Sequence, residues 1–454
     1  MIVAHGIGSV RDLPVPAWLF LWGAAIVLVA SFVLLGALWR RPLLARHVAG
    51  RPLPVGLERA LRSQAVRIVL GAASASLLLL VFLAGLLGAT NPNENLTPTF
   101  VYVIFWLGLV PVQVLLGDVW RLLNPWRAIA DATVWTLERV RGRPAAPLGE
   151  LPERVGRWPA AGLLFCFAAL ELAYVDPASP RALALATALY SYITFFGMAA
   201  FGRERWLDRG EAFTAYFGLL ARVAPFGEHD GRLVVRWPFT GLAGAPRIAG
   251  TGAVVAVMLG SVGFDGLSRT SFWQELVADV ESPYVLDRPG VAELLVTGLN
   301  LVGLLLSVVV VGAAYLAAVS AARSTANAPQ SLVRQFVFSL VPIALVYAVA
   351  HYFSLLLIQG QFILPLASDP FGSGWNLLGS LGDYRPNLSP LAPNTVWYIQ
   401  VGALVAGHVA GLAVAHDRAV ALFRSRDAAL RSQYAVLALM IGYTVLGMWL
   451  LSQD

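Results

Sequence analysis

The sequence predicts an all-α, polytopic transmembrane helix bundle of about ten membrane spans with both termini external. Three observations carry that expectation. Of 454 residues, 58% are hydrophobic and only 13% charged, with a mean hydropathy of +0.70, whereas a soluble domain carries roughly a quarter of its residues as charges. Apolar runs of about 20 residues, the length a ~30 Å hydrocarbon core asks of a helix, recur along the whole chain. The basic residues between those runs fall heavily on alternate loops.

The apolar runs lie at 18–38, 67–88, 99–117, 158–175, 182–201, 249–267, 291–318, 335–358, 395–415 and 434–451. Several contain Gly or Pro (Pro111, Pro342, Gly407, Gly411), which membrane helices tolerate. The 291–318 run is long enough to tilt. No linker separates a soluble domain, so residues 1–454 read as one integral membrane domain. With an external N-terminus, the loops after the odd-numbered spans hold 27 arginines and the external segments five: Arg11, Arg181, Arg269, Arg288 and Arg385. That asymmetry is a strong positive-inside signal and points to the cytoplasmic membrane of a bacterium. It also accounts for the net charge of +6 without a nucleic-acid partner, and the arginine clusters read as topology and anionic-lipid contacts. Lysine is absent altogether, as a GC-rich genome would produce. The N-terminal MIVAHGIGSVRDLPVPAW lacks the basic and apolar regions of a signal peptide and is short enough to cross without one.

Two inner segments carry more than a connection. Residues 202–248 form the largest cytoplasmic loop, and within it Phe213, Tyr216, Phe217 and Leu220 recur at helical spacing. That spacing predicts an amphipathic helix over 210–223 lying on the inner surface, followed by a short strand or turn in GRLVVRWPF. The stretch 118–135 reads as interfacial, with Trp120, Trp126 and Trp135 at the headgroup level. Outside, the 90–98, 265–290 and 359–394 segments are long enough to be binding loops or lids. The 359–394 loop reads as structured, and its DPFGSGW could present glycine N–H groups as an anion nest.

Polar residues inside the bilayer are costly and often functional, so their depth matters. At ~1.5 Å per residue, Glu171, Asp265 and His351 fall in the outer third, with Gln359, Gln361 and Asp369 above them on a candidate substrate path. Gln113 and His408 form an inner polar layer and are expected to hydrogen-bond between helices. His408 and His416, in GHVAGLAVAHD, are ~12 Å apart along one helix and cannot share an ion. His416-Asp417-Arg418 reads as a polar helix terminus reaching the inner headgroups, while Gly407 and Gly411 allow close helix packing. Six scattered histidines and the single Cys166 offer no metal site, and no cofactor is identifiable.

The set DLPVPAWLF, NENLTPTFVYVIFWLG, LLNPWRAI, FDGLSRTSFW, HYFSLL, DPFGSGWNLLG and GHVAGLAVAHDRA resembles largely uncharacterised bacterial polytopic membrane proteins. Some of these are labelled fenitrothion hydrolase-like. The resemblance spans most of the chain and implies phosphotriester hydrolysis, with no catalytic residues to carry over.

Three readings of function stay open. The leading one is permease-like transport of a small-molecule substrate through a site near the outer face. The second is a membrane-embedded hydrolase with His351 as base and Asp265 as its orienter or a metal ligand. The third is a non-catalytic subunit with an unknown protein partner. Separation of Asp265 and His351 decides much, since acid–base partners need contact or one bridging water.

Overall fold

A computed structural model describes residues 17–144, 146–326 and 332–451; the expectation for the N-terminal tail falls outside them. The fold is an all-α helical bundle. Its principal helices are α1 (Ala17–Leu38), α2 (Gln64–Leu87), α3 (Leu96–Leu116), α4 (Pro125–Arg141), α5 (Trp158–Leu172), α6 (Pro180–Phe201) and α7 (Arg203–Arg209). They continue with α8 (Ala212–Leu220), α9 (Thr251–Ser268), α10 (Pro289–Ala326), α11 (Val341–Gln359), α12 (Pro393–Leu422) and α13 (Arg426–Leu451). Nine helical segments among the described residues are long and apolar enough to cross a membrane, and Trp22–Leu38 of α1 is a shorter apolar stretch. Each of the ten expected runs is thus helical. α10 is longer than its apolar run: 38 residues reach about 57 Å, well past a ~30 Å hydrocarbon core.

Burial ranks the helices. In the most apolar window of α9, 72% of residues are buried, and 67% in the segment Leu332–Ser368 that contains α11. Only 11% of the α10 window is buried, and Leu301, Val302, Leu305, Leu306, Val309 and Val310 project from it, as a lipid-facing helix requires. α9 packs between α5 and α10, α11 against α12 and α3, and α13 against α10, α1 and α12. The α11–α12 contact is close because Gly407 and Gly411 face it. A Cβ at Gly407 would collide with the Val346 side chain, and one at Gly411 would stand 2.7 Å from the Ser339 carbonyl oxygen. Small residues four apart therefore set this seam.

At the arginine-rich end lies a three-stranded antiparallel sheet, β1 (Arg51–Pro52), β2 (Phe226–His229) and β3 (Arg232–Val235), ordered β1–β3–β2. Asp230 and Gly231 link β2 to β3 with φ of 48° and 75°, the left-handed pair that a tight hairpin demands.

Two expectations for the inner segments are overturned. α8 does not lie on a surface: Ala212, Phe213, Ala215, Tyr216, Phe217, Leu219 and Leu220 are all buried, against α5, α3, α11 and α9. Its residues are apolar almost all round, and such a helix belongs in a core. Trp120 and Trp126 are also buried rather than interfacial; of the three tryptophans, only Trp135 is exposed, with the Arg139 guanidinium 4.4 Å from its ring centroid. Trp120, Trp126, Phe105, Tyr190 and Phe217 instead surround Phe213 or its helix at aromatic packing distances.

Candidate functional site

Asp265 stands one turn before the end of α9 and His351 in the middle of α11. Both are among the most buried polar residues, at 3% and 4% exposure. His351 Nε2 lies 2.8 Å from Asp265 Oδ2, so the two outer-third residues touch although 86 residues separate them in sequence. The other carboxylate oxygen, Oδ1, accepts from Arg269 Nε at 3.3 Å and Nη2 at 3.2 Å. Arg269 follows Asp265 by four residues, the spacing that places side chains one above the other on a helix. Tyr352 completes the group: its hydroxyl hydrogen-bonds to Asp265, and its ring meets the His351 ring edge-to-face with centroids 4.8 Å apart.

Charge bookkeeping explains why this cluster survives burial. A lone carboxylate in a low-dielectric interior is costly, and a paired, hydrogen-bonded one far less so. Arg269 meets one oxygen of Asp265 with its opposite charge, and His351 Nε2 meets the other. The carboxylate thereby holds the orientation of the ring. Glu171, half-buried on α5, is close enough to interact electrostatically with Asp265 and has no hydrogen-bond partner among the described residues.

The remaining path residues have other tasks. Gln361 Oε1 accepts from the Tyr384 hydroxyl and the Asn387 N–H, while its Nε2 donates to the carbonyls of Leu357 and Asn387. The side chain is committed to pinning the 359–394 loop. Asp369 accepts from the N–H groups of Ser373 at 2.9 Å and Gly374 at 2.7 Å. The nest expected in DPFGSGW therefore exists but is filled by the chain's own carboxylate. Gln359 ends α11, half-buried, and is not hydrogen-bonded to the Asp265 cluster.

The inner layer differs from expectation. Gln113 and His408 are both fully buried, yet no hydrogen bond joins them. Among the described residues neither side-chain polar atom of Gln113 has a partner, nor does His408 Nε2. His408 Nδ1 is instead spent on the Leu404 carbonyl of its own helix at 2.8 Å, and its ring packs edge-on against Tyr347. Equal depth left lateral position open, and α3 and α12 present these residues to different neighbours.

Compared with known protein families, curated proteins and solved structures, the chain matches none.

Other buried polar groups were not legible as such. Asp417 and His416 are not a helix terminus, because α12 runs on to Leu422. Asp417 accepts from Trp39 Nε1 and from the N–H groups of Leu44 and Ala45 at 2.9–3.1 Å. His416 Nε2 lies 3.0 Å from the Trp39 carbonyl oxygen. Together they bind the segment after α1. Glu211, fully buried, caps α8 and accepts from the N–H groups of Phe213 and Thr214, Asn124 Nδ2, Trp120 Nε1, and the hydroxyls of Tyr190 and Thr214. Nothing local in the sequence marks Glu211 as buried. Arg269, which reads as a loop charge, and Tyr352, which reads as apolar filling, join the cluster only through the fold. Among the described residues no three His, Cys, Asp or Glu side chains converge as a metal site requires.

Proposed function

We propose that the protein is a permease-like carrier of a small solute in the bacterial cytoplasmic membrane, with the Asp265–His351 pair as its protonatable element near the outer face. The observation that carries this reading is the 2.8 Å contact between the two side chains, placed where α9 meets the segment containing α11, the two most buried spans. Intramembrane ionisable residues mark ion and substrate pathways more often than scaffolding. A contact between two helices whose strength depends on a proton gives the bundle two arrangements that proton occupancy and a solute can bias. The near-complete burial of both residues favours a moving element over an open catalytic pocket, because a solute reaches them only when the helices part. Glu171 faces this element as a second proton acceptor.

Proteoliposomes loaded with a pH-sensitive dye test the reading against a panel of small organic acids, amines and organophosphate esters. Solute-dependent proton flux is expected in the wild type and should vanish in Asp265→Asn and His351→Gln. Flux that persists in both variants would overturn it.

The dyad geometry also favours one alternative. A histidine oriented by a carboxylate is the arrangement of a general base, and it agrees with the hydrolase-like resemblance. Release of p-nitrophenol from a p-nitrophenyl phosphotriester by detergent-purified protein, lost in Asp265→Asn, would replace transport with hydrolysis.

A further inference from the structure

A mainly apolar groove of about 650 Å³ opens between α5, α9, α10 and the short helical turns at 332–340. Its walls include Phe165, Val257, Leu305 and Val308, and its mouth carries Arg247, Arg334 and Trp158. We propose that this groove is a binding site for one anionic phospholipid, with its phosphate between Arg247 and Arg334 and one acyl chain lying in the groove.

Six observations point to that occupant. No aspartate or glutamate lines the groove, and among the described residues neither arginine has a hydrogen-bonding or acidic partner, so two cations stand uncompensated at the mouth of an apolar space. Both arginines belong to the arginine-rich side, which the positive-inside rule turns towards the anionic cytoplasmic leaflet. The indole of Trp158, 60% exposed at the start of α5, takes the position that tryptophan prefers at a headgroup boundary. The lining covers about 10 Å from Thr251 to Val257 on α9 and from Trp158 to Phe165 on α5, and about 16 Å from Leu305 to Leu316 on α10, the depth of a ~15 Å leaflet. That length suits an acyl chain and is too short for a second membrane-crossing helix. One wall is the lipid-facing α10, so the groove is open to the bilayer rather than to water. Space inside comes partly from Gly162, where an added Cβ would meet nothing within 4 Å.

The test reconstitutes full-length protein in vesicles of equimolar phosphatidylglycerol and phosphatidylcholine, re-extracts it in mild detergent, and counts retained lipids by mass spectrometry. Phosphatidylglycerol should be enriched about tenfold, an increment of about 1.4 kcal/mol. The surface double variant Arg247→Gln/Arg334→Gln should bring the ratio close to one. Gly162→Leu, which fills open space in a helix, should lower total retained lipid without changing the melting temperature in detergent. Equal retention of the two lipids by wild-type protein would overturn the proposal. So would enrichment that survives both variants, or arginine-dependent binding of inorganic phosphate with no lipid retained.

Discussion

Glu211 and Asp265 are both buried carboxylates at helix ends, and their partners differ in kind. Every group donating to Glu211 is a backbone N–H, an amide, an indole or a hydroxyl, none of which changes charge near neutral pH. Asp265 shares its oxygens among an arginine, a histidine and the Tyr352 hydroxyl, and the Glu171 carboxyl interacts with it electrostatically. A saturated carboxylate whose donors are fixed acts as a knot in the fold. A carboxylate balanced among titratable groups changes its surroundings whenever a proton moves. Burial alone does not separate the two; the chemistry of the partners does.

That contrast breaks first, and hardest, on Glu211→Ala. Removing the acceptor strands six donors around α8, and the loss should be about 3 kcal/mol or more, read as a large drop in melting temperature in detergent. A variant within about 1 kcal/mol of wild type would dissolve the distinction. Asp417→Ala should cost somewhat less, about 2 kcal/mol, and should expose the 39–54 segment to protease, because its three donors all lie there. At Asp265 the order reverses. Asp265→Asn keeps shape and some hydrogen bonding, so stability should fall by only about 1 kcal/mol while solute-linked proton flux disappears. Comparable destabilisation at Asp265 and Glu211, with flux retained, would make both mere structural knots.

Smaller effects sharpen the same point at the surface. Burial pushes the Glu204 carboxyl up, but Arg127 and Arg203 outweigh it and hold the group below its ordinary 4.5. A carboxylate with a depressed value contributes stability above its unfolded value and loses it as pH falls through the folded one. Acidification below about pH 4.5 should therefore weaken the α4–α7 contact slightly, and Glu204→Gln should flatten that acid slope in a pH series of melting temperatures. Asp369→Ala should have the smallest consequence, under about 1 kcal/mol, since its two N–H donors are exposed to water once released.

Much of the architecture was written in the sequence because the bilayer imposes one simple rule, that an apolar run of sufficient length becomes a helix. Depth along each helix was equally legible, and it brought Asp265 and His351 to one level. Rotation and lateral neighbours were not. Depth grouped Gln113 with His408 as readily as Asp265 with His351, and only the second pair touches. The same blindness concealed α8. Its apolar spacing predicts an amphipathic surface helix, whereas the fold supplies six donors to Glu211 and buries the helix. The glycines at 407 and 411 were readable because a missing side chain speaks about distance rather than direction.

Asp417 also places α1 in time. Trp39, directly after α1, waits for a hydrogen-bond acceptor made 378 residues later. At a synthesis rate of ~5–20 residues per second the delay is roughly 20–75 s. α1 packs against α12 and α13, the two principal helices translated last. Throughout that interval it has lipid, or a chaperone, for company. The ribosome thus releases a bundle whose opening helix is the last to be fastened, and a message truncated before residue 417 would yield a protein with one helix left loose for quality control to find.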